Sequence, residues 1–462
     1  MFVNRSHELA ALTAWWDGAP WGRIGLVWGR RRVGKTALLS AFAEDRRAIF
    51  HTGAGRPAAD ELRVLSRESA AALQAAVRDP LARPFVDWDD ALEALASAAA
   101  DEPLLLVLDE FPELLRASPE LPGVLRAFWD RMRDRTRLRI LICGSAVRVM
   151  QAIQEEREPL YGRIDLSLAV HPFAPHETAA LLPALSPSDR ALVWGIVGGV
   201  PLYLTWWDQQ RDIRANLERL VCRPGGQLLE EGRLVLATEG DIGELGQRVL
   251  RAIAAGRTKH HEIEQAVRAE PARTLERLIE LRLIERLVPV TEAGSRTRKR
   301  SYRIADNYLA FWLGLVEPYR AEIERGLGKS ILSPLLEGLD EYMGGRWEEA
   351  FRAHLRRLAI AGELGPDIVR IGAFWSERPP VEIDAVALAG RREEAVLVGE
   401  AKWARAANAA RIVRELQRKA DALPRVAADL RYAVGARERV TALPDGAIAI
   451  DAAAIFANAP AA

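Results

Sequence analysis

Cysteine is almost absent from this chain: Cys143 and Cys222 are the only two among 462 residues. Two thiols cannot build a disulfide framework, which excludes the small stapled secreted scaffolds and points to a reducing compartment. Long hydrophobic runs are missing as well, none approaching the ~18 residues that a helix needs to cross a bilayer. The opening Met1-Phe2-Val3-Asn4-Arg5 has no signal-peptide core. A cytoplasmic protein with no membrane partner is therefore expected. An excess of either charge is also lacking, since 64 basic residues face 64 acidic ones for a formal net charge of +0. No global pull toward nucleic acid exists, and any basic surface must be local. Histidine is scarce, and His260-His261 has no cysteine nearby with which to make a zinc site.

The most informative shortage is lysine. Only Lys35, Lys259, Lys299, Lys329, Lys402 and Lys419 occur, which leaves 58 of the 64 basic residues as arginine. A chain that writes arginine wherever a positive charge suffices keeps lysine where a compact ammonium group is needed. Two of the six fall inside motifs that carry chemistry.

What is present is the balance of a globular protein, 49% hydrophobic and 28% charged, long enough for about three domains. Residues 24–28 read as a buried strand, followed by a glycine-rich turn and a helix from Lys35. Strand-like runs recur at 47–51, 104–108, 138–143 and 165–170 with helices between them, which predicts a parallel α/β sheet. Residues 176–222 read as helical, interrupted at Gly198-Gly199-Val200-Pro201, and suggest a lid. A helix at 245–254, a short helix from Lys259, a helix at 271–282 and strands at 284–290 and 300–304 have the layout of a winged helix. A further α/β pattern follows: a helix at 345–358, strands near 368–374, 382–388 and 394–400, a helix at 407–421, then strands near 430–434 and 447–450. The expected domains are 1–235 for a P-loop ATPase with its lid at about 175–235, 236–320 for the winged helix and 321–462 for the last.

Gly29-Arg30-Arg31-Arg32-Val33-Gly34-Lys35-Thr36 matches a phosphate-binding loop completely and stands between a strand and a helix. Its backbone N–H groups and the helix N-terminus favour phosphate. Lys35 is expected to reach the β- and γ-phosphates of ATP, and Thr36 to hold Mg²⁺. The apolar run Leu104–Leu108 ends in Asp109-Glu110. Asp109 suits the Mg²⁺ shell and Glu110 suits polarising the attacking water.

Near the other end, Glu382-Ile383-Asp384 begins one strand and Glu400-Ala401-Lys402 ends the next. Residues two apart in a strand share a face, so Glu400 and Lys402 point the same way and Asp384 on the neighbouring strand joins them. Glu348 and Glu349 upstream offer a further carboxylate. This is the Asp…Glu-x-Lys pattern of PD-(D/E)xK nucleases, in which the acids, here Asp384 and Glu400, hold Mg²⁺ and the lysine positions water or offsets charge. No clean Pro-Asp pair precedes the second acid. The plain alternative is a salt bridge at the strand edge, or a nuclease fold that no longer cuts. Between these motifs, Arg296, Arg298, Lys299 and Arg300 crowd the hairpin loop, and Arg273 and Arg277 share one helix face. Together they form a candidate DNA-binding surface, with a solvated loop as the alternative.

Phe2-Val3-Asn4-Arg5-Ser6-His7-Glu8-Leu9, the phosphate loop, Asp109-Glu110-Phe111, Cys143-Gly144-Ser145, Pro159-Leu160-Tyr161-Gly162-Arg163 and Gly199-Val200-Pro201 occur in this order. The set resembles the archaeal-type ATPases of prokaryotes, AAA+-like proteins near the STAND group, over what reads as the full length. Residues 302–312 look like that family's junction into its C-terminal domain. The resemblance implies an AAA+-like sheet with a lid, a winged helix and a small restriction-endonuclease-like domain. It implies that Asn4 and Arg5 lie near adenine, that Ser145 senses the γ-phosphate and that Pro201 meets the base from the lid. Arg163 senses nucleotide or reaches a neighbouring subunit of a homo-oligomer, unless it is a plain surface arginine. The reading is an ATPase whose nucleotide state controls a DNA-binding, nuclease-like half. Its rivals are a regulatory ATPase that binds DNA or protein and never cuts, and a C-terminal half that only oligomerises.

Overall fold

The computed structural model describes residues 2–18, 20–73, 79–238, 242–294, 297 and 299–457, the side chain of Thr238 excepted. The chain separates into two compact units, Met1–Pro172 and Phe173–Ala462. This division differs from the expected boundaries near 235 and 320, and the helices read as a lid belong to the second unit.

The first unit runs α1 (Ser6–Asp17), β1 (Arg23–Trp28), α2 (Lys35–Ala43), β2 (Ala48–Thr52), α3 (Ala58–Ser69), α4 (Trp88–Ala98), β3 (Leu104–Asp109), α5 (Phe111–Ala117), α6 (Leu121–Met132), β4 (Leu138–Gly144), α7 (Val147–Ala152) and β5 (Leu166–Ala169). Its sheet has the order β2-β3-β4-β1-β5, and every pairing is parallel. Every residue of β3 and β4 is buried, as strands covered on both faces require. Side chains alternate between two cores. Leu104, Leu106 and Leu108 pack with Trp88, Leu95 and Phe128 on one face. Leu105 and Val107 pack with Leu12, Leu38 and Phe42 on the other.

The second unit begins with α8 (Pro187–Val197), α9 (Pro201–Trp206), α10 (Ile213–Leu220) and α11 (Gln227–Thr238). It continues through α12 (Gly243–Ala254), α13 (His260–Val267), α14 (Ala272–Glu280), β6 (Ile284–Leu287), β7 (Ser301–Ile304), α15 (Asn307–Phe311) and the single turn α16 (Arg320–Glu322). β6 and β7 form an antiparallel hairpin after three helices. The run 302–312 is a buried hub: the Tyr308 hydroxyl donates to Leu228 O at 2.6 Å and Trp312 Nε1 to Leu229 O at 3.0 Å. Asn307 Nδ2 reaches Trp194 O at 3.1 Å, which ties α15 to α8.

The unit ends with the long helix α17 (Gly328–Ile360), β8 (Ile368–Glu377), β9 (Pro380–Ala389), β10 (Glu394–Lys402), β11 (Ala406–Asn408), α18 (Ala409–Ala420), β12 (Val426–Ala436), β13 (Arg439–Thr441), β14 (Ile448–Ile450) and α19 (Ala452–Phe456). The sheet order is β14-β12-β10-β9-β8. β10, β12 and β14 run parallel, while β8 and β9 are antiparallel additions. α17 covers one face through Trp347, Phe351 and Leu355, and α18 covers the other through Ile412, Val413 and Leu416. A Cβ on Gly399 would come within 2.9 Å of the Phe351 ring, and one on Gly435 likewise. Glycine before Glu400 thus seats the helix that backs the site. Among the described residues no helix is long and apolar enough to cross a membrane.

Candidate functional sites, one in each unit

In the first unit the phosphate loop leaves β1 and enters α2, as its spacing predicts. Gly29 fits because a Cβ there would lie 2.2 Å from Val170 O. Lys35 is 6% exposed, and its Nζ donates to Gly29 O at 3.0 Å and Arg30 O at 2.9 Å. The ammonium group is thus held across the loop by the loop's own carbonyls. Arg31 is exposed, Arg30, Arg32 and Gly34 are partly so, and Val33 is buried. Arg5 Nη2 donates to Val33 O at 2.7 Å and Arg5 Nη1 pairs with Glu8 Oε1 at 2.8 Å. The Asn4-Arg5 turn, with both residues at positive φ, is thereby fastened to the phosphate loop.

Across the sheet edge, Thr36 Oγ1 donates to Asp109 Oδ2 at 2.7 Å. Glu110 follows in a left-handed conformation, φ 49°, and accepts a hydrogen bond from Ser145 Oγ at 3.1 Å on Oε2. An alcohol and a carboxylate oxygen this close are a donor set that Mg²⁺ accepts. Beneath them, burial and the nearby Asp109 charge push the Cys143 thiol well above its usual range, so it stays a neutral packing group. Arg163 grips Asp130 in a fork, Nε–Oδ1 at 2.8 Å and Nη2–Oδ2 at 2.9 Å, and also bonds Pro159 O and Tyr161 O. In this state its guanidinium ties its own loop to α6. Pro201 opens α9 in the second unit.

In the second unit β9 and β10 bring Asp384, Glu400 and Lys402 together. Ala401 N donates to Asp384 Oδ2 at 2.8 Å, and Lys402 Nζ donates to Glu400 Oε1 at 2.6 Å. Asp384 and Glu400 are 7% and 6% exposed. Burial, then the charges of Glu348 and Glu400, push the Asp384 carboxyl up to about 7. Burial likewise raises Glu348, against the pull of Arg352. Burial lowers the Lys402 ammonium, but its bond to Glu400 together with the charges of Glu400, Asp384 and Glu348 outweighs this and lifts it above its usual value. Of the two neighbouring glutamates only Glu348 faces this cluster. Glu349 is taken by Arg303, at 2.7 Å and 3.0 Å.

Two groups at this site were not singled out in the sequence. Lys419 on α18 donates to Glu400 Oε2 at 3.0 Å, so each Glu400 oxygen meets an ammonium group. Its rarity as one of six lysines was the available signal. Arg352 Nη1 donates to the backbone oxygen of Asp384 at 2.7 Å, a contact that no sequence pattern announces. Among the described residues no group of three or more acidic, histidine or cysteine side chains is arranged to hold a metal ion. Mg²⁺ at Asp384 and Glu400 does not fit this arrangement unless a lysine moves aside.

On the basic surface, Arg273 and Arg277 are both exposed on α14. Lys299 pairs with Glu292, and Arg300 Nε bonds Thr297 O at 2.9 Å. Arg296 and Arg298 lie outside the described residues.

The parallel sheet, the loop between β1 and α2 and the paired acids after β3 define a P-loop ATPase domain. Residues 2–206 match the ATPase domain found predominantly in Archaea, in agreement with the phosphate loop and the paired acids. Residues 312–413 match a family described as archaeal and bacterial proteins of unknown function. An uncharacterized protein of Methanocaldococcus jannaschii is 26% identical over 430 residues, 91% of this chain and 92% of that protein. Among solved structures, a Walker-type ATPase of Pyrococcus abyssi aligns with a TM-score of 0.52 at 21% identity, over 68% of this chain and 96% of that one. This supports the fold. The ORC2 protein of Aeropyrum pernix, in ADPNP-ADP complexes, aligns at 0.45 and 14% identity over 72% and 96%, too loosely to argue from.

Proposed function

We propose that the chain binds and hydrolyses ATP with Mg²⁺ at the phosphate loop, and that its nucleotide state controls a nucleic-acid-binding, nuclease-like second half. The Thr36–Asp109 bond beside Glu110 carries the first part of this reading. It joins the two motifs that phosphoryl transfer needs, one gripping phosphate and metal and the other acting on water. In this scheme Lys35 and the loop amides hold the phosphates, Thr36 and Asp109 hold the metal and Ser145 meets the γ-phosphate. Asn4 and Arg5 flank the nucleotide.

The second part rests on Asp384, Glu400 and Lys402 sharing one sheet edge and on the winged-helix layout of α12 to β7. The engagement of both Glu400 oxygens by lysine favours a second reading, in which this half binds nucleic acid without cutting it. A nuclease assay on single- and double-stranded DNA and RNA, with Mg²⁺ or Mn²⁺ and with or without ATP, separates the two. Metal-dependent cleavage that Lys402→Ala abolishes supports the nuclease. Binding without cleavage under all conditions supports the regulatory protein.

The wing gives a separate prediction. Neutralising Arg296, Arg298, Lys299 and Arg300 together is expected to weaken duplex binding and flatten its salt dependence, because fewer counterions are released. Unchanged affinity and slope in a salt titration would remove the wing as the DNA contact. Adding Arg273→Gln and Arg277→Gln is expected to deepen the loss, since both stand exposed on α14.

A further inference from the structure

α18 carries different chemistry on its two faces. Ile412, Val413, Leu416 and Ala420 turn into the core. Lys419, at the border of that buried face, reaches Glu400. The opposite face presents Arg411, Arg414 and Arg418, all exposed. Their i, i+3, i+7 spacing lines them up over about 10 Å of helix. Among the described residues none of the three meets a carboxylate at ion-pair distance. Arg414 Nε and Arg418 Nε bond only carbonyls of their own helix, Ala410 O at 3.2 Å and Arg414 O at 3.4 Å. Elsewhere this chain pairs many of its arginines with acids, as at Arg163, Arg251 and Arg303. With Gln417 and Asp421 the three line an open groove of about 620 Å³.

We propose that this face of α18 is a docking track for the sugar-phosphate backbone of a nucleic acid strand. Three guanidinium groups without an ion pair, against the one carboxylate of Asp421 in their groove, are a local anion-binding surface in a chain of zero net charge. Guanidinium forks match phosphate geometry, which lysine does not. The helix that offers them outward also sends Lys419 to Glu400. The track adds to the wing and deepens the reading given above, on which it rests.

Fluorescence anisotropy of the full chain with labelled 20-nucleotide single- and double-stranded DNA and RNA, between 50 and 200 mM salt, tests it. The variant Arg411→Gln/Arg414→Gln/Arg418→Gln is expected to bind at least tenfold more weakly. Its slope of log affinity against log salt should be smaller by about two to three, at ~0.7–0.9 per lost phosphate contact. The triple Arg→Lys variant keeps the charge and should hold affinity within a few-fold. A loss there as large as with glutamine would show that charge on this face does not set the affinity and would overturn the proposal. A charge-matched control, Arg116→Gln/Arg131→Gln/Arg211→Gln, takes exposed arginines from elsewhere and should bind like the parent. Parent-like affinity and slope in the glutamine variant overturn the track and leave the functional reading standing. A parent chain that binds none of the probes overturns that reading, and the track with it.

Discussion

Glu110→Gln is expected to bind ATP as the parent does and to release phosphate at about a hundredth of its rate or less, the scale on which a positioned base contributes. Glutamine keeps the shape and can still accept the Ser145 hydroxyl bond, so the turn after β3 should survive. It cannot take a proton from water. Asp109 cannot stand in, because one of its oxygens is bonded to Thr36 and the other accepts the Glu110 N–H at 3.0 Å. Lys35→Ala is expected to fail earlier, at binding. It removes the charge that the Gly29 and Arg30 carbonyls now hold over the loop. A nucleotide-binding titration beside a phosphate-release assay tells the two defects apart. Full turnover by the glutamine variant would discard Glu110 as the group acting on water.

Asp384→Asn is expected to stabilise the protein above pH 7 and to leave it unchanged near pH 4. The Asp384 carboxyl is pushed from 3.8 to about 7 by burial and by the neighbouring acids, so the folded chain holds a proton there that the unfolded chain has lost. Stability from that proton is present below the unfolded value and disappears as pH rises toward about 7. Above that, a buried charge remains without full compensation. Asparagine is neutral at every pH, and its oxygen can still accept the Ala401 N–H. The gain at pH 8 is expected to be roughly 2 kcal/mol, or about 3 °C in Tm for a unit of this size. Thermal melts in chelator at pH 4.5 and pH 8 provide the comparison. Identical melting of parent and variant at pH 8 would mean that Asp384 carries its charge comfortably.

Such a strained acid is what stability alone would remove, and it fell where the sequence placed a site. The legible parts share one property: motif and element are adjacent in the chain. β1, the phosphate loop and α2 were readable because strand, glycine turn and helix are consecutive, and β9 and β10 because a hairpin joins them. α17 was only partly legible. The expected 345–358 is the end of a helix that starts at Gly328 and contains Pro334. Leu332, Leu335, Leu339, Met343 and Trp347 form a buried stripe strong enough to carry the helix through residues that read as breakers. The division near 172 was not legible, because the apolar face of α8 looks the same whichever core receives it. In the fold Trp194 packs on Phe456 and Trp347. Glu348 and Glu349 are equivalent as letters but diverge by a hundred degrees around a helix, and only packing selects Glu348 for the acid cluster.

Six side-chain amines in a chain of this length make acylating reagents unusually discriminating. Lys259, Lys299 and Lys329 are exposed and should modify quickly, and Lys402, exposed but bonded to Glu400, more slowly. Lys35 and Lys419 are shielded, the first by carbonyls of its own loop and the second by Glu400. A nucleotide seating in the loop alters the reactivity of Lys35 alone. A change at Glu400 alters Lys402 and Lys419, which it holds. Against a background of arginine, which these reagents ignore, one peptide map by mass spectrometry follows the occupancy of both halves in a single sample.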